Sequence, residues 1–468
     1  MPWRSSGRAA KSSTEARLIP RRAAGRWEIP AAAGAAIAGL VLRLHEYRTV
    51  PYTAPNPDEW NWAWAGLSQL LGTPSTGWSL FWRAYPVAVR AAPPPPFNEP
   101  LVHPYIDAPP LFSWLVGAVD WLDGDRTLAQ VVHDPGPRLL GIGLSIVALL
   151  LAYLLGRLVI GVWPALVGVW LLATAPIPVV LDRLVAAEQL LAVLLLAALL
   201  AVFHLRRDPG DRRWLVLLLA CCVLAPGVKT PGLVVGISAA LLFAARRQFR
   251  LAALAGGLAL AGELAVLAYT ASLDWNSYAG EVRIRAGQLS GLTGYRFITN
   301  TTGFDGQQAL DGWWLLGWLG LAEVVGRRRG DWDLLTVPAI GYLLLMVGLA
   351  AGYSAGYGWY RITVIPIVYL SAGRFLWLAA AELSWQRLAL AAVLAIATAA
   401  NWAAPLHLKF DPILLGGVVL LAVLPALVVM VRPDARSWAR SGAFALLAVL
   451  IPVGLVEVAN LGAIYGHF

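Results

Sequence analysis

The sequence has few charged residues for its length. Lys, Arg, Asp and Glu make up 13% of its 468 residues, whereas an ordinary soluble domain contains about 25%. Hydrophobic residues make up 59%, which excludes both an ordinary soluble globule and a mainly disordered chain, because disorder requires low hydrophobicity. The composition therefore predicts an all-α polytopic membrane protein.

Cysteine is also scarce. The two cysteines, Cys221 and Cys222, are adjacent within an apolar run. Neighbouring cysteines rarely form a disulfide without strain, and two thiols on one helix do not complete a zinc site. We interpret both as small side chains of a membrane helix, which leaves the redox compartment open.

The net charge of +9 is concentrated in short clusters between apolar runs. This placement argues against a nucleic-acid partner and fits a chain that weaves through a bilayer, with its basic loops in the cytoplasm. The basic tail, residues 1–28, is therefore expected to be cytoplasmic; a cleaved signal peptide is the alternative. The later clusters are Arg206–Arg207 with Arg212–Arg213, Arg246–Arg247 with Arg250, Arg327–Arg329, and Arg432 with Arg436 and Arg440.

Apolar stretches of about 20 residues can cross a bilayer, and those of about 10–14 usually cannot. With the charge alternation, this criterion predicts about thirteen transmembrane helices in one domain, residues 29–468, and an extracytoplasmic C-terminus. The predicted helices begin near residues 29, 138, 163, 188, 214, 231, 251, 312, 334, 360, 388, 412 and 441. Because the Ala-, Arg- and Trp-rich composition is typical of a GC-rich bacterial genome, we expect the bacterial cell (inner) membrane.

Two long extracytoplasmic loops are predicted, at residues 51–137 and 272–311. Within the first, Leu111–Leu122 is apolar over only 12 residues, and a crossing there would place the later basic clusters outside. We therefore expect an interfacial or re-entrant helix. The second loop contains several side chains able to hydrogen-bond sugar hydroxyls, and we expect it to cover a site. These side chains are Asn276, Tyr278, Tyr295, Asn300, Thr301 and Asp305.

The first loop opens with the adjacent acids Asp58 and Glu59, followed by Trp60, Trp62 and Trp64. One interpretation is an N-terminal acid pair on an interfacial helix, with the tryptophans in the lipid headgroup layer. The other is a functional site, because paired carboxylates at a membrane boundary are costly unless they are solvated or used.

A second acid-bearing segment of the loop is His103–Pro110. It is either a rigid turn or a second wall of the same site, in which His103 and Asp107 hydrogen-bond a substrate or bind a cation.

Three cations lie at predicted outer helix ends: Arg183, Lys229 and Arg361. Each alone is typical of a snorkelling side chain or a local ion pair. Together, with Glu188 nearby in sequence, they predict a phosphate site at the membrane surface.

The order of these segments resembles the GT-C membrane glycosyltransferases. The segments are an Asp-Glu opening at Asp58, a His/Pro/Pro-Leu-Phe element at His103–Phe112, and a Gly-Trp-Tyr-Arg segment at Gly358–Arg361. The most similar branches are the protein O-mannosyltransferases and the aminoarabinose (lipid A) transferases. The resemblance implies a sugar donor carried on a polyprenyl monophosphate, with a lipid, glycan or protein acceptor.

The resemblance also implies site roles. Asp58, with Glu59 beside it, matches the family's catalytic or acceptor-binding acid. Lys229, Arg361 and Arg183 match the cations that bind the donor phosphate, and Tyr360 adjoins them.

A glycosyl phosphate has a good leaving group, so one base and fixed cations suffice for an inverting displacement. We expect Asp58 to be the base, with Lys229 and Arg361 stabilising the departing phosphate. Glu59, or Glu188 paired with Arg183, would orient the base or hold a divalent cation. Oxygen ligands at Asp58 and Glu59 would favour Mg²⁺ or Mn²⁺ over Zn²⁺.

Two other classes of function remain open at this stage. A transporter or lipid flippase would place ionisable groups near the bilayer midplane, and Glu263, Glu323 and Glu457 lie within or near apolar runs. A non-catalytic assembly protein is the third class, and it would have no need of the Asp58–Glu59 pair.

Overall fold

A computed structural model describes residues 25–51, 58–92, 99–288, 311–325, 331–349, 358–403 and 412–462. These residues form seventeen α-helices and one small sheet. The helices are α1 Glu28–Leu44, α2 Asp58–Leu70, α3 Pro110–Asp123, α4 Leu128–His133, α5 Pro137–Val159, α6 Val162–Thr174, α7 Pro176–Asp182, α8 Ala187–Leu205, α9 Arg212–Val228, α10 Leu233–Ala244, α11 Phe249–Gln288, α12 Gly312–Ala322, α13 Asp333–Leu349, α14 Ile365–Glu382, α15 Trp385–Ala403, α16 Pro412–Val431 and α17 Arg436–Ala459.

The mostly helical fold predicted from composition is confirmed, and a helix begins within a few residues of every predicted start. The largest differences are at α14, which begins at Ile365, and α17, which begins at Arg436. Five helices in the described residues are long and apolar enough to cross a membrane, or six if the bent pair α6–α7 counts as one span. The protein is thus a multi-pass membrane protein, and the number thirteen stays a prediction.

Two of the basic loops meet at one end of the bundle. Arg206, after α8, pairs with Asp333 at 2.7 Å, and Arg207 pairs with Asp331 at 2.8 Å. Arg246, after α10, also approaches Asp331, at 3.6 Å. These two clusters, which the sequence assigns to one side of the membrane, therefore lie together.

Helix α1 is held by ion pairs near both of its ends. Arg157 on α5 contacts Glu28 at 2.8 Å, and the Tyr153 hydroxyl donates to the same Glu28 oxygen at 2.6 Å. Near the other end, the buried Arg43 donates to the Asp182 carboxylate on α7 at 2.7 Å and 2.9 Å. Buried charges are tolerated in such places because each has a partner.

The first predicted outer loop contains α2, α3 and α4 and a short antiparallel sheet. Its strands, β1 Gly77–Trp78, β2 Arg90–Ala91 and β3 Leu101–Val102, are ordered β1-β3-β2. The Asn61 side chain on α2 holds β1, because its oxygen accepts from the Trp78 backbone N–H and its amide donates to the Trp78 carbonyl, both at 2.7 Å.

The tryptophans of α2 differ from the prediction. Trp60 and Trp62 are only 6% and 7% exposed, and Trp62 packs edge-on against Phe112 of α3, with ring centroids 5.3 Å apart. Trp60 packs with Trp78 of β1. The rings of Trp60 and Trp62 therefore belong to a protein core and not to the headgroup layer, because α3 and β1 cover them. At 14 residues, α3 itself has the short length expected of an interfacial helix.

The loop predicted to begin at Ser272 is helical as far as Gln288. Non-helical backbone at Asp274 breaks α11 there, and the Asp274 carboxylate accepts from the backbone N–H groups of Asn276 and Ser277. Beyond the break, Tyr278 packs with Tyr85 of the first loop. Of the predicted covering residues, Tyr295, Asn300, Thr301 and Asp305 lie outside the described residues.

Helices α2 and α3 approach so closely that glycine is required between them. A Cβ on Gly117 would lie 2.3 Å from the Leu67 backbone nitrogen, whereas a Cβ on Gly143 of α5 would meet nothing within 4 Å. We therefore expect Gly117→Ala to destabilise the protein by about 1–3 kcal/mol through overpacking. Gly143→Ala is the matched control and should leave the thermal midpoint in detergent unchanged; equal midpoints for the two variants would contradict the close packing.

Candidate active site

The predicted acid pair lies at the beginning of α2, and its two members have different surroundings. Glu59 is buried, and Arg138 on the first turn of α5 donates to its Oε2 at 3.0 Å and 3.2 Å. The backbone N–H of Val185 donates to its Oε1 at 3.1 Å. Burial raises the Glu59 pKa, and the charge and hydrogen bonds of Arg138 oppose that rise. Both oxygens of Glu59 are therefore engaged within the protein.

Asp58 is partly buried and faces a different set of charges. Burial raises its pKa, attraction to Lys229 lowers it, and the negative charge of Glu188 raises it, for a net rise. The first outer loop thus brings Asp58 into electrostatic contact with two residues that lie much later in the chain.

Lys229 reaches this place because α9 ends abruptly. Pro226 lies in its last turn, and Lys229 itself has extended backbone with φ of −167°. The chain then turns so tightly that a Cβ on Gly232 would lie 2.1 Å from the Ala225 carbonyl oxygen. The Lys229 Nζ lies 2.6 Å from Glu188 Oε1, and its side chain remains 18% exposed while that of Glu188 is 1% exposed.

The Lys229 ammonium also lies over the ring of Tyr360, 4.3 Å from its centroid. Tyr360 is held from behind, because the Tyr342 hydroxyl donates to its backbone carbonyl at 2.7 Å. Burial lowers the Lys229 pKa, but Glu188, Tyr360 and Asp58 outweigh it and the net pKa is raised. Lys229 therefore stays a cation at neutral pH, beside one acid, one aromatic face and the Asp58 carboxylate.

Arg361 follows Tyr360 in sequence, but its guanidinium lies near a second group of side chains, Trp314, Asp311 and Tyr369. It is 2% exposed and sits 5.4 Å from the Trp314 ring centroid. Burial lowers its pKa to about 10, and attraction to Asp311 and Tyr369 partly offsets that fall.

Arg183 has a different position from the one expected. Its guanidinium donates to the Leu42 carbonyl at 2.7 Å and the Val50 carbonyl at 3.5 Å. Burial, with the repulsion of nearby Arg43, lowers its pKa to about 10. The expected pair between Glu188 and Arg183 is wrong, because Glu188 pairs with Lys229.

Asp107 and His103, the two residues of the predicted second wall, have different contacts. Asp107 accepts from the hydroxyls of Ser79 at 2.5 Å and Tyr85 at 2.7 Å, so it fastens the loop. His103 is exposed, and its backbone N–H donates to the Val89 carbonyl at 3.2 Å. 

Sequence reasoning missed Arg138 and Tyr342. The signal for Arg138 was present, since an arginine directly after Pro137 at the start of an apolar span needs a partner in the membrane. Tyr342 gave no signal, because an aromatic residue within an apolar helix is ordinary core.

Comparison with known proteins adds an independent view of this arrangement. Residues 107–273 match the sequence profile of the dolichyl-phosphate-mannose-protein mannosyltransferase family. That segment contains Glu188 and Lys229 but neither Asp58 nor Tyr360. No protein of curated function matches the chain significantly in sequence.

Among solved structures, ArnT from Cupriavidus metallidurans bound to undecaprenyl phosphate superposes with a TM-score of 0.53 and 18% identity, covering 95% of this chain and 78% of ArnT. ArnT in the apo state gives 0.52 and 18%, covering 94% and 76%. The archaeal oligosaccharyltransferase AglB from Archaeoglobus fulgidus, in complex with an inhibitory peptide and a dolichol-phosphate, gives 0.49 and 14%, covering 86% and 56%.

The chain has a GT-C fold. The resemblance inferred from the sequence is thereby confirmed, both in the family profile and in the fold. Within this fold, α2, the N-terminus of α8, the end of α9 and the turn before α14 meet around Lys229.

The buried Glu59–Arg138 pair gives a stability prediction. Glu59→Gln leaves the Arg138 charge buried without its counter-ion, and we expect a loss of about 3–5 kcal/mol. Glu59→Gln with Arg138→Gln should recover most of that loss, because no unpaired charge then remains.

Thermal unfolding in detergent measures both variants. Arg207→Gln is the control, since the Arg207 side chain is 50% exposed in its pair with Asp331 and should contribute about 0–1 kcal/mol. A Glu59→Gln midpoint as high as that of Arg207→Gln would show that the buried pair does not hold α2.

Proposed function

We propose that this protein transfers a sugar from a polyprenyl-monophosphate donor to an acceptor hydroxyl at the extracytoplasmic membrane surface. The observation that carries the proposal is the meeting of Asp58 with the Glu188–Lys229–Tyr360 group within a GT-C fold. A carboxylate able to take a proton and a fixed cation able to stabilise a phosphate are the two groups that such a transfer needs.

Lys229 is the donor-phosphate cation in this proposal. It remains partly exposed, and Glu188 and Tyr360 fix the direction of its ammonium. In ArnT the bound molecule is undecaprenyl phosphate, and we infer a carrier of the same chemical class here. Its polyprenyl chain would lie against the apolar helices while its phosphate meets Lys229.

Asp58 is the base. Its raised pKa makes the carboxylate a stronger proton acceptor than an ordinary aspartate, provided that the pH is above that pKa. The acceptor oxygen attacks the anomeric carbon and its proton passes to Asp58. The bond from that carbon to the phosphate oxygen breaks, and polyprenyl phosphate leaves with the electron pair. One displacement of this kind inverts the anomeric centre.

The other predicted residues take secondary roles. Glu59 is a positioning residue, because its contacts to Arg138 and Val185 fix the start of α2 beside Asp58. Arg361 supplies positive charge from the turn that carries Tyr360, and Arg183 fixes the C-terminal end of α1. His103 and Asp107 belong to the first outer loop, where Asp107 is engaged by Ser79 and Tyr85. A cation at Asp58 and Glu59 stays a prediction, although Glu59 has both oxygens engaged.

The transporter alternative loses part of its support. Glu323, which had suggested an ion pathway, pairs with Arg374 at 3.3 Å and Arg387 at 3.0 Å. Such pairs are ordinary partners for charges at helix ends. Placement in the bacterial inner membrane, with a cytoplasmic N-terminus and an extracytoplasmic C-terminus, completes the proposal.

Asp58→Asn tests the base. Because the amide cannot accept the proton, we expect the turnover number to fall about 10²–10⁴-fold while the folded fraction stays near that of wild type. Wild-type activity should also decline as the pH falls through the raised pKa of Asp58, and this acid limb should vanish in the variant. The assay uses purified protein with polyprenyl-phosphate sugars and a panel of lipid, glycan and peptide acceptors.

The exposed Asp434 provides the control, as Asp434→Asn should keep full turnover. Turnover by Asp58→Asn equal to that of the control would remove the base assignment. Lipid movement across vesicles by wild type, with no transfer from any donor, would favour the transporter.

Lys229 and Glu188 form a second test. Lys229→Gln leaves Glu188 buried without a counter-ion and should lower both stability and activity. Lys229→Gln with Glu188→Gln removes both charges, so stability should return while activity stays low. Recovery of activity together with stability in the double variant would show that Lys229 has only a structural role.

A further inference from the structure

A group of aspartates gathers where the second helix of the first loop ends. Helix α3 stops at Gly124, which has a positive φ of 95°, and Asp125 then folds back so that its N–H donates to the Asp120 carbonyl at 3.0 Å. After the short helix α4, Asp134 precedes the start of α5. One carboxylate oxygen from each of Asp120, Asp125 and Asp134 lies within 4.8 Å of the other two.

The Asp120 side chain has no hydrogen-bond donor. Asp120 is 0% exposed, and neither of its carboxylate oxygens has a hydrogen-bond partner. One buried carboxylate oxygen of Asp125 also has no hydrogen-bond partner. A buried carboxylate without donors is costly, and a bound cation would remove that cost.

Arg126 is next to the cluster in sequence, but its hydrogen bonds go to backbone carbonyls and not to the three carboxylates. Arg126 donates to the backbone carbonyls of Trp121 at 3.0 Å and Asp125 at 2.5 Å, and its guanidinium lies over the Trp121 ring. Asp134 accepts one bond, from the Gly136 backbone N–H at 2.8 Å. The carboxylates thus face one another, and both oxygens of Asp120 and one oxygen of Asp125 have no hydrogen-bond partner.

We propose that Asp120, Asp125 and Asp134 bind a divalent cation, of the Ca²⁺ class, at the junction of α3, α4 and α5. The three ligands are all carboxylate oxygens, which suit a hard cation and not Zn²⁺ or Cu²⁺. Ca²⁺ accepts an irregular set of oxygens completed by water, whereas Mg²⁺ demands near-ideal octahedral geometry. This site does not depend on the proposed transfer reaction.

The cation would fix the beginning of α5. Asp134 lies four residues before Arg138, whose guanidinium binds Glu59 beside Asp58. A cation that joins Asp134 to the end of α3 therefore secures α3, which packs against α2, and α5, whose Arg138 binds Glu59.

The test uses the full-length protein in detergent, freed of metal with a chelator and titrated with CaCl₂ or MgCl₂. The thermal midpoint should rise saturably with Ca²⁺, because a ligand that binds only the folded state stabilises it. Half-saturation is expected at about 10⁻⁴–10⁻³ M, as in extracellular calcium modules. Equilibrium dialysis with radioactive calcium should give one ion per chain.

Asp120→Asn separates this site from a merely structural acid. The variant should lose the calcium-dependent rise, yet without metal its midpoint should equal or exceed that of metal-free wild type, because a neutral amide replaces an unpaired buried acid. Asp134→Asn serves as a second variant should Asp120→Asn fail to fold, and Asp434→Asn should respond as wild type does.

Absence of calcium binding to wild type at millimolar concentrations would overturn the proposal. So would an unchanged response in the Asp120 and Asp134 variants, and a larger response to Mg²⁺ would overturn the choice of ion. Because the readouts are binding and stability, they stand apart from any failure to detect sugar transfer.

Discussion

One buried carboxylate determines where the candidate base lies. Glu59 receives Arg138 from α5 and the Val185 N–H from the segment before α8, so it joins three parts of the chain that are far apart in sequence. Asp58 directly precedes Glu59 in the sequence, so the contacts of Glu59 also fix the position of Asp58. A buried pair of this kind gives little net stability, and its effect is to specify how the outer loop docks on the bundle.

The charges around Asp58 are arranged in two layers. The Glu59–Arg138 pair is almost fully buried, with side chains 5% and 1% exposed, and it neutralises itself. The Glu188–Lys229 pair lies beside it, but its cation is less buried than its anion. Lys229 therefore presents positive charge outward while Glu188 and Tyr360 hold it in place. This asymmetry distinguishes the candidate phosphate site from the inner pair.

Periodicity and charge placement were enough to predict where the helices begin and that the clusters at Arg206–Arg207 and Arg246 lie on one side, because both are encoded locally in the sequence. They also identified Asp58 and Lys229. The partners could not be predicted: whether Glu188 meets Arg183 or Lys229 depends on how α8 and α9 pack. The tryptophans of α2 were misread since nothing local shows that α3 covers them. Asp120 escaped notice because an acid near the end of an amphipathic helix looks solvated until tertiary structure buries it.

The Arg43–Asp182 contact has a consequence for how this protein is made. These two residues are 139 positions apart, so α1 leaves the ribosome long before its acidic partner is synthesised. Arg43 is nevertheless fully buried in the finished bundle. Until α7 emerges, that guanidinium must remain at the aqueous edge or be sheltered by the insertion machinery. Helix α1 is therefore synthesised first but can take its final position in the bundle only after α7 has been made.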